Sequence, residues 1–238
     1  MDDMKRSLKS LTIYEHIMII IMIAIAAQAV VVAFTNPEGS KNPAWLTVIN
    51  FVSAICGIFC VFLTAKASIS NFIFAVINTL VYAVYLYYWR IYGTFILEIL
   101  FYLPIEIFSW VAWSRHRDSI EPEKTKARKL SLPHNILVAA LIVAVGVCAH
   151  YVLAMMNGTA AWLDAFTFSI GVAAVILELF RYKEQYVWWI ITDIITVALY
   201  VIHFDAVYLT KRIIYLIVAL MGLYNWHILN KERNALNA

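Results

Sequence analysis

Residues 186–200 read YVWWIITDIITVALY. Nearly every side chain in the run suits hydrocarbon, yet Asp193 stands in the middle. A carboxylate at the centre of a membrane helix costs about 2.5–3.5 kcal/mol on insertion scales, so it should face a protein interior or a wet cavity. The rest of the chain decides whether this is a buried soluble helix or a membrane span. The 238 residues are 63% hydrophobic and 14% charged, with a mean hydropathy of +0.80. Soluble domains average about 25% charged residues. The apolar residues also come in long unbroken runs, which a soluble core does not require. The chain therefore reads as an all-α, polytopic membrane protein in contact with a lipid bilayer.

A helix needs about 20 apolar residues to cross about 30 Å of hydrocarbon. Eight candidate spans follow: 16–34, 45–65, 72–89, 92–113, 135–156, 163–180, 186–202 and 208–229. The first is preceded by Lys5, Arg6 and Lys9 and contains AIAAQA, as a signal peptide would. Its apolar run continues through VVVAF, which favours a retained transmembrane helix. The stretch 114–134, SRHRDSIEPEKTKARKLSLPH, is polar, charged and holds two prolines, so it reads as the one real linker. With the N-terminus in the cytoplasm, 14 of the 18 lysines and arginines fall on cytoplasmic segments. That bias satisfies the positive-inside rule and puts both termini on the cytoplasmic side. Trp45, Trp89, Trp113, Trp162 and Trp226 lie near span ends and read as interface anchors. The six histidines share no spacing and read as surface groups.

The chain repeats itself weakly. At a spacing of 115, Lys66 matches Arg181, Phe74 matches Trp189, Asn78 matches Asp193 and Tyr85 matches Tyr200; Asn50 matches Asp164 at 114 and Tyr92 matches Tyr208 at 116. Two parallel three-helix repeats are expected, 45–113 and 163–230, joined by the linker 114–134 and a linker helix 135–162. Residues 1–44 form a peripheral N-terminal transmembrane helix, and 231–238 a cytoplasmic tail. Parallel repeats of this kind occur in transporters of the SWEET type, whose substrate site lies between repeats near the midplane.

The buried polar groups supply the candidate site. Trp189, Asp193, Val197 and Tyr200 form one helical stripe, and Phe74, Asn78, Tyr82 and Tyr85 another. Such polar–aromatic stripes suit a flat ring carrying hydrogen-bonding substituents. Glu98 and Glu106 share a third helix with Pro104 between them, which should kink it and free a backbone carbonyl. Trp188 is adjacent to Trp189 and must face another way; Asn225 adds an amide in the last span. The substrate-binding set is thus Asn78, Tyr82, Glu98, Glu106, Trp188, Trp189, Asp193, Tyr200 and Asn225. Lys211 and Arg212 sit in the first turn of the last span, so the core is expected to lack deep cations. A neutral or cationic, unphosphorylated ligand follows, since a phosphate would want arginines or lysines at depth.

Other classes are excluded on chemistry. No GxSxG, HExxH or GxxxxGK[ST] is present, so no enzyme is expected. Cys56, Cys60 and Cys148 all lie in apolar runs, which argues against disulfides, and no metal or cofactor is expected. No basic stripe is interleaved with aromatics, so nucleic acid is not a partner. A homo-oligomer is compatible with the chain, although no two glycines stand four apart to make a GxxxG face.

Residues 65–113, AKASISNFIFAVINTLVYAVYLYYWRIYGTFILEILFYLPIEIFSWVAW, and 164–200, DAFTFSIGVAAVILELFRYKEQYVWWIITDIITVALY, together carry a family likeness. A basic turn, ISN, a YG pair, a Trp-x-x-Trp-like end and a segment similar to Trp-x-x-x-Asn occur in the order of the PnuC family of bacterial nicotinamide riboside transporters, which this chain resembles. The resemblance spans about residues 45–229. It implies a SWEET-like seven-helix core in the bacterial cytoplasmic (inner) membrane. It also implies facilitated diffusion with alternating access, and substrate-facing roles for Asn78, Trp189 and Asp193. Asp193 stands where an asparagine is expected, and Glu98 and Glu106 where amides are expected. Acids in those places keep other cationic vitamins such as thiamine open as substrates, and so is proton coupling through Glu98 or Glu106.

Overall fold

The computed structural model describes residues 2–36, 38, 42–90, 92–155, 161–202 and 206–236. Its regular elements are all helices, with isolated β-bridges and no strand among these residues. The helices are α1 (Asp2–Lys9), α2 (Ile13–Thr35), α3 (Ala44–Ala65), α4 (Asn71–Tyr88), α5 (Tyr92–Leu97), α6 (Leu103–Arg115), α7 (Leu132–Met155), α8 (Ala161–Leu179), α9 (Gln185–Ile202) and α10 (Ala206–Leu236). A π-helical turn, Glu98–Tyr102, joins α5 to α6. Six stretches are long and apolar enough to cross a membrane: Ile13–Thr35, Ala44–Ala65, Asn71–Tyr88, Phe95–Arg115, Leu132–Val152 and Leu209–Lys231. Ala165–Leu179 is apolar but shorter.

The chain divides into two compact units, Met1–Thr125 and Lys126–Ala238. In the first, α2 and α4 pack on α3, and α6 packs on α4. In the second, α7 packs on α8, α8 on α9, and α9 on α10. The buried core is mainly apolar, but many large apolar side chains are also exposed. Ile13, Ile20, Leu100, Ile136 and Met155 are exposed, whereas Glu15 and Gln185 are fully buried. So much outward apolar surface on long apolar helices fits contact with acyl chains.

Local chemistry explains the element ends. Thr12 caps α2 in a capping box, its hydroxyl accepting from the Glu15 amide while Glu15 Oε2 accepts from the Thr12 amide at 2.5 Å. The same buried carboxylate meets Lys66 Nζ at 3.0 Å, which pins α2 to the α3–α4 turn. Pro104 causes the π-turn. It has no N–H for the Leu100 carbonyl, and the chain widens so that Leu103 N–H reaches Glu98 O instead. The kink expected at this proline takes the form of a widened turn.

The linker is not a free tether. In the first unit the Ile69 amide donates to Glu123 O and the Thr125 amide to Ala67 O, both at 2.9 Å. In the second, Arg128 N donates to Arg181 O at 2.8 Å and Lys183 N to Arg128 O at 3.0 Å. Each unit therefore straps a linker segment across its own helix turn, because those turns carry backbone groups that the helices leave unpaired. In the first unit, Arg117 also donates to Asp3 of α1 at 2.7 Å.

Several local features of the two units stand 114 positions apart, one less than the 115 that most of the matched residues follow. Ala67 and Arg181, both left-handed at φ 55° and 64°, are 114 positions apart. So are the ends of α3 and α8 and the starts of α4 and α9. Phe72 packs edge-on to Trp113, and Tyr186, 114 positions after Phe72, packs edge-on to Trp226. At that spacing Thr79, rather than Asn78, stands opposite Asp193. Identity matching among so few apolar residue types cannot resolve a one-residue slip; turn geometry can. The same packing overturns two of the expected anchors. Trp113 and Trp226 are fully buried, while Trp45, Trp89 and Trp162 are exposed. His150 is not a surface group either: its ring stacks on Trp162 at 3.6 Å.

Candidate functional site

The first unit brings together Asn78, Glu106 and two hydroxyls. Ser53 Oγ of α3 donates to Asn78 Oδ1 of α4 at 2.8 Å. With the amide oxygen fixed in this way, the Nδ2 group is the donor side of Asn78. Gly57, one turn after Ser53, leaves room beside the amide, since a Cβ there would lie 3.5 Å from Asn78 Oδ1. One residue on, buried Thr79 donates to Glu106 Oε1 of α6 at 2.8 Å. The other carboxylate oxygen, Oε2, is buried with no hydrogen-bond partner among the described residues. A buried polar atom left unpaired costs about 1–3 kcal/mol, more if charged, so Oε2 is suited to a cationic or hydrogen-donating group.

Glu98 opens the π-turn and is half-buried. In a regular helix an eight-residue interval would rotate it about 80° from Glu106. A π-turn absorbs one extra residue, which reduces the offset to roughly 20°. The turn that Pro104 imposes therefore aligns the two acids on one face. Aromatic walls stand close by: Phe59 stacks on Phe74 at 5.3 Å, and Tyr82 on Tyr85 at 5.9 Å.

The second unit holds the residues of the opening stretch. Asp193 is 4% exposed. It is not the lone charge expected from sequence. Arg212 Nη1 donates to Asp193 Oδ1 at 3.3 Å, forming an ion pair between α9 and α10. Because α10 begins at Ala206, Arg212 lies in its second turn, and its long side chain carries the guanidinium further inward. The expectation of no deep cation is thus corrected: length of reach, not position of the Cα, decides where an arginine's charge sits. Trp188 and Trp189 are both half-buried on α9. Thr192 and Thr196 return their hydroxyls to carbonyls one turn back, at 3.1 and 2.7 Å, and so add no free donor to the stripe. Asn225 is half-buried on α10. The backbone of Tyr200 belongs to α9, but its side chain lies outside the described residues.

Sequence reading missed Ser53, Thr79 and Arg212. Thr79 would have been found with the repeat spacing of 114, which makes it the counterpart of Asp193. Arg212 carried a signal too, as an arginine within an apolar run.

The family model described as nicotinamide mononucleotide transporter matches residues 47–228. The nicotinamide riboside transporter PnuC of Neisseria mucosa is 30% identical over 233 residues, covering 94% of this chain and 84% of the relative. Its counterparts in Haemophilus influenzae and Escherichia coli are 30% and 25% identical, over 80% and 88% of this chain and 83% and 96% of the relatives. A crystal structure of the vitamin B3 transporter PnuC superposes with a TM-score of 0.72 at 28% identity, covering 96% of this chain and 97% of that one. These matches are to transporters, not enzymes, and they run through all the helices that hold the candidate residues: the chain belongs to the PnuC transporter family.

Proposed function

We propose that the chain carries nicotinamide riboside across the bacterial inner membrane by facilitated diffusion with alternating access. The observation that carries this reading is the likeness to a nicotinamide riboside transporter over 94% of the chain. The topology we propose has eight spans and cytoplasmic termini. Helices α3–α6 and α8–α10 form the two three-helix repeats, α7 links them and α2 is peripheral. Asn78, Tyr82, Glu98 and Glu106 from the first unit and Trp188, Trp189, Asp193, Tyr200 and Asn225 from the second are the candidate substrate contacts.

The chemistry of the side chains suits this cargo. Nicotinamide riboside presents a pyridinium ring, a carboxamide and ribose hydroxyls. Aromatic faces attract a ring cation. Glu98 and the uncommitted Oε2 of Glu106 supply negative charge, and Asn78 offers amide donors to a carbonyl or hydroxyl. Asp193, already matched by Arg212, contributes hydrogen bonding rather than net charge. Uptake of labelled nicotinamide riboside into proteoliposomes tests the reading, with thiamine as competitor. Uptake no greater than in empty liposomes, or stronger uptake of thiamine, would overturn it.

The partnerless oxygen of Glu106 also favours a second reading, in which that carboxylate carries a proton through the cycle. Uptake against a riboside gradient that collapses on adding a protonophore supports coupling; insensitivity leaves plain diffusion.

A further inference from the structure

At the end of α4 remote from the linker strap, the first unit holds a cavity of about 360 Å³ lined by Trp45, Val84, Tyr87, Tyr88 and Arg90. We propose that this cup binds the phosphodiester headgroup of a membrane phospholipid, with Arg90 on the phosphate and the aromatic side chains against the glycerol and upper acyl chain.

Three observations carry the assignment. Arg90 has no ion pair or hydrogen bond through its guanidinium among the described residues. It is the free cation in an otherwise aromatic and aliphatic lining. A guanidinium matches phosphate oxygens bidentately, and it tolerates partial desolvation better than an ammonium does. Second, the residue is placed with care. Arg90 follows the C-cap Trp89 of α4 and adopts φ 56°, the left-handed conformation that glycine ordinarily supplies at this point. An arginine held there has a reason other than ending the helix. Third, the wall is braced before any ligand arrives. Trp45 packs edge-on to Tyr88 at 5.4 Å, Tyr88 edge-on to Trp89 at 5.5 Å, and the Trp89 indole N–H donates to Asn42 Oδ1 at 2.9 Å.

The location selects the lipid over a soluble anion. Trp45, Val84, Tyr87 and Tyr88 are each 44% exposed or more, on helices whose other outward side chains are apolar. Tryptophan and tyrosine collect at the headgroup level of a bilayer. A cation at that level, flanked by rings, meets lipid phosphates at far higher local concentration than dissolved ones.

Substitution at this position separates charge from folding. Arg90→Gly removes the guanidinium while giving the backbone the residue its φ prefers, and Arg90→Lys keeps the charge without the fork. Purified protein is titrated with phosphatidylglycerol and read by native mass spectrometry, with diacylglycerol and glycerol 3-phosphate as the other arms. The expected result is one retained phosphatidylglycerol on the unchanged chain, binding at least fivefold weaker to Arg90→Gly and of intermediate strength to Arg90→Lys. Equal retention by Arg90→Gly overturns the proposal. So does equal retention of diacylglycerol, which lacks the phosphate. Displacement of the lipid by equimolar glycerol 3-phosphate assigns the cup to a soluble anion and overturns the lipid reading.

Discussion

Glu106 and Asp193 are both acids buried in apolar helices, yet their partners set them apart. Asp193 faces a guanidinium, whereas Glu106 has only the Thr79 hydroxyl and one oxygen left over. Substrate charge should therefore be felt at Glu106. Glu106→Gln keeps the shape and the Thr79 bond but removes the charge. We expect it to raise the KM for nicotinamide riboside about tenfold, equivalent to about 1.4 kcal/mol, with little change in melting temperature. An unchanged KM would remove Glu106 from the cation site. Asp193 should behave in the opposite sense. Removing one member of a buried ion pair costs about 3–5 kcal/mol when both are enclosed. Arg212 is 33% exposed, so the cost of Asp193→Ala should fall below that range. The double variant Asp193→Ala with Arg212→Met should melt higher than Asp193→Ala alone, because no unpaired charge remains. A double variant that melts lower would show that the pair matters for more than charge balance.

At the scale of the element, the π-turn and the helix contacts are the parts that sequence periodicity cannot anticipate. Pro104→Ala restores an N–H and lets the turn relax to α, swinging Glu98 away from Glu106. Reduced riboside uptake with an equal or higher melting temperature is the expected outcome; normal uptake would mean the alignment of the two acids is incidental. Glycines test the packing. A Cβ at Gly222 would fall 2.3 Å from Tyr186 Cε1 and 2.6 Å from Cζ, so the ring must move. Overpacking of this kind costs about 1–3 kcal/mol, and Gly222→Ala should lower the melting temperature in detergent accordingly. Gly57→Ala, whose nearest contact is an ordinary 3.5 Å, should not. The α1 strap gives a pH-dependent element. The hydrogen bond from Arg117 holds the Asp3 carboxyl below its ordinary 3.8. A depressed acid stabilises above its unfolded value and loses that contribution as pH falls through the folded one. Because the pair is exposed, Asp3→Asn should cost at most about 1 kcal/mol at neutral pH, and the difference from the unchanged chain should vanish well below pH 3.8.

For the whole molecule, the membrane class and the all-helical fold were legible because hydropathy is local and additive. A run of apolar residues has the same transfer free energy whatever it later packs against. The family likeness was legible for a related reason, since the order of weak motifs survives without knowledge of contacts. Which polar groups meet was not legible. The guanidinium of Arg212 reaches Asp193 across two helices, and Thr79 is the residue that answers Glu106. Trp113 and Trp226 lie near span ends yet are fully buried, because neighbouring helices cover them. The spacing of 114 stands out in the left-handed turn residues and in the helix ends beside them. By itself the sequence determined the solvent each segment prefers, a property of single residues summed along the chain. Tertiary structure alone decided charge pairing, register and burial, because each depends on side-chain reach and on groups distant in sequence being brought within a few ångströms.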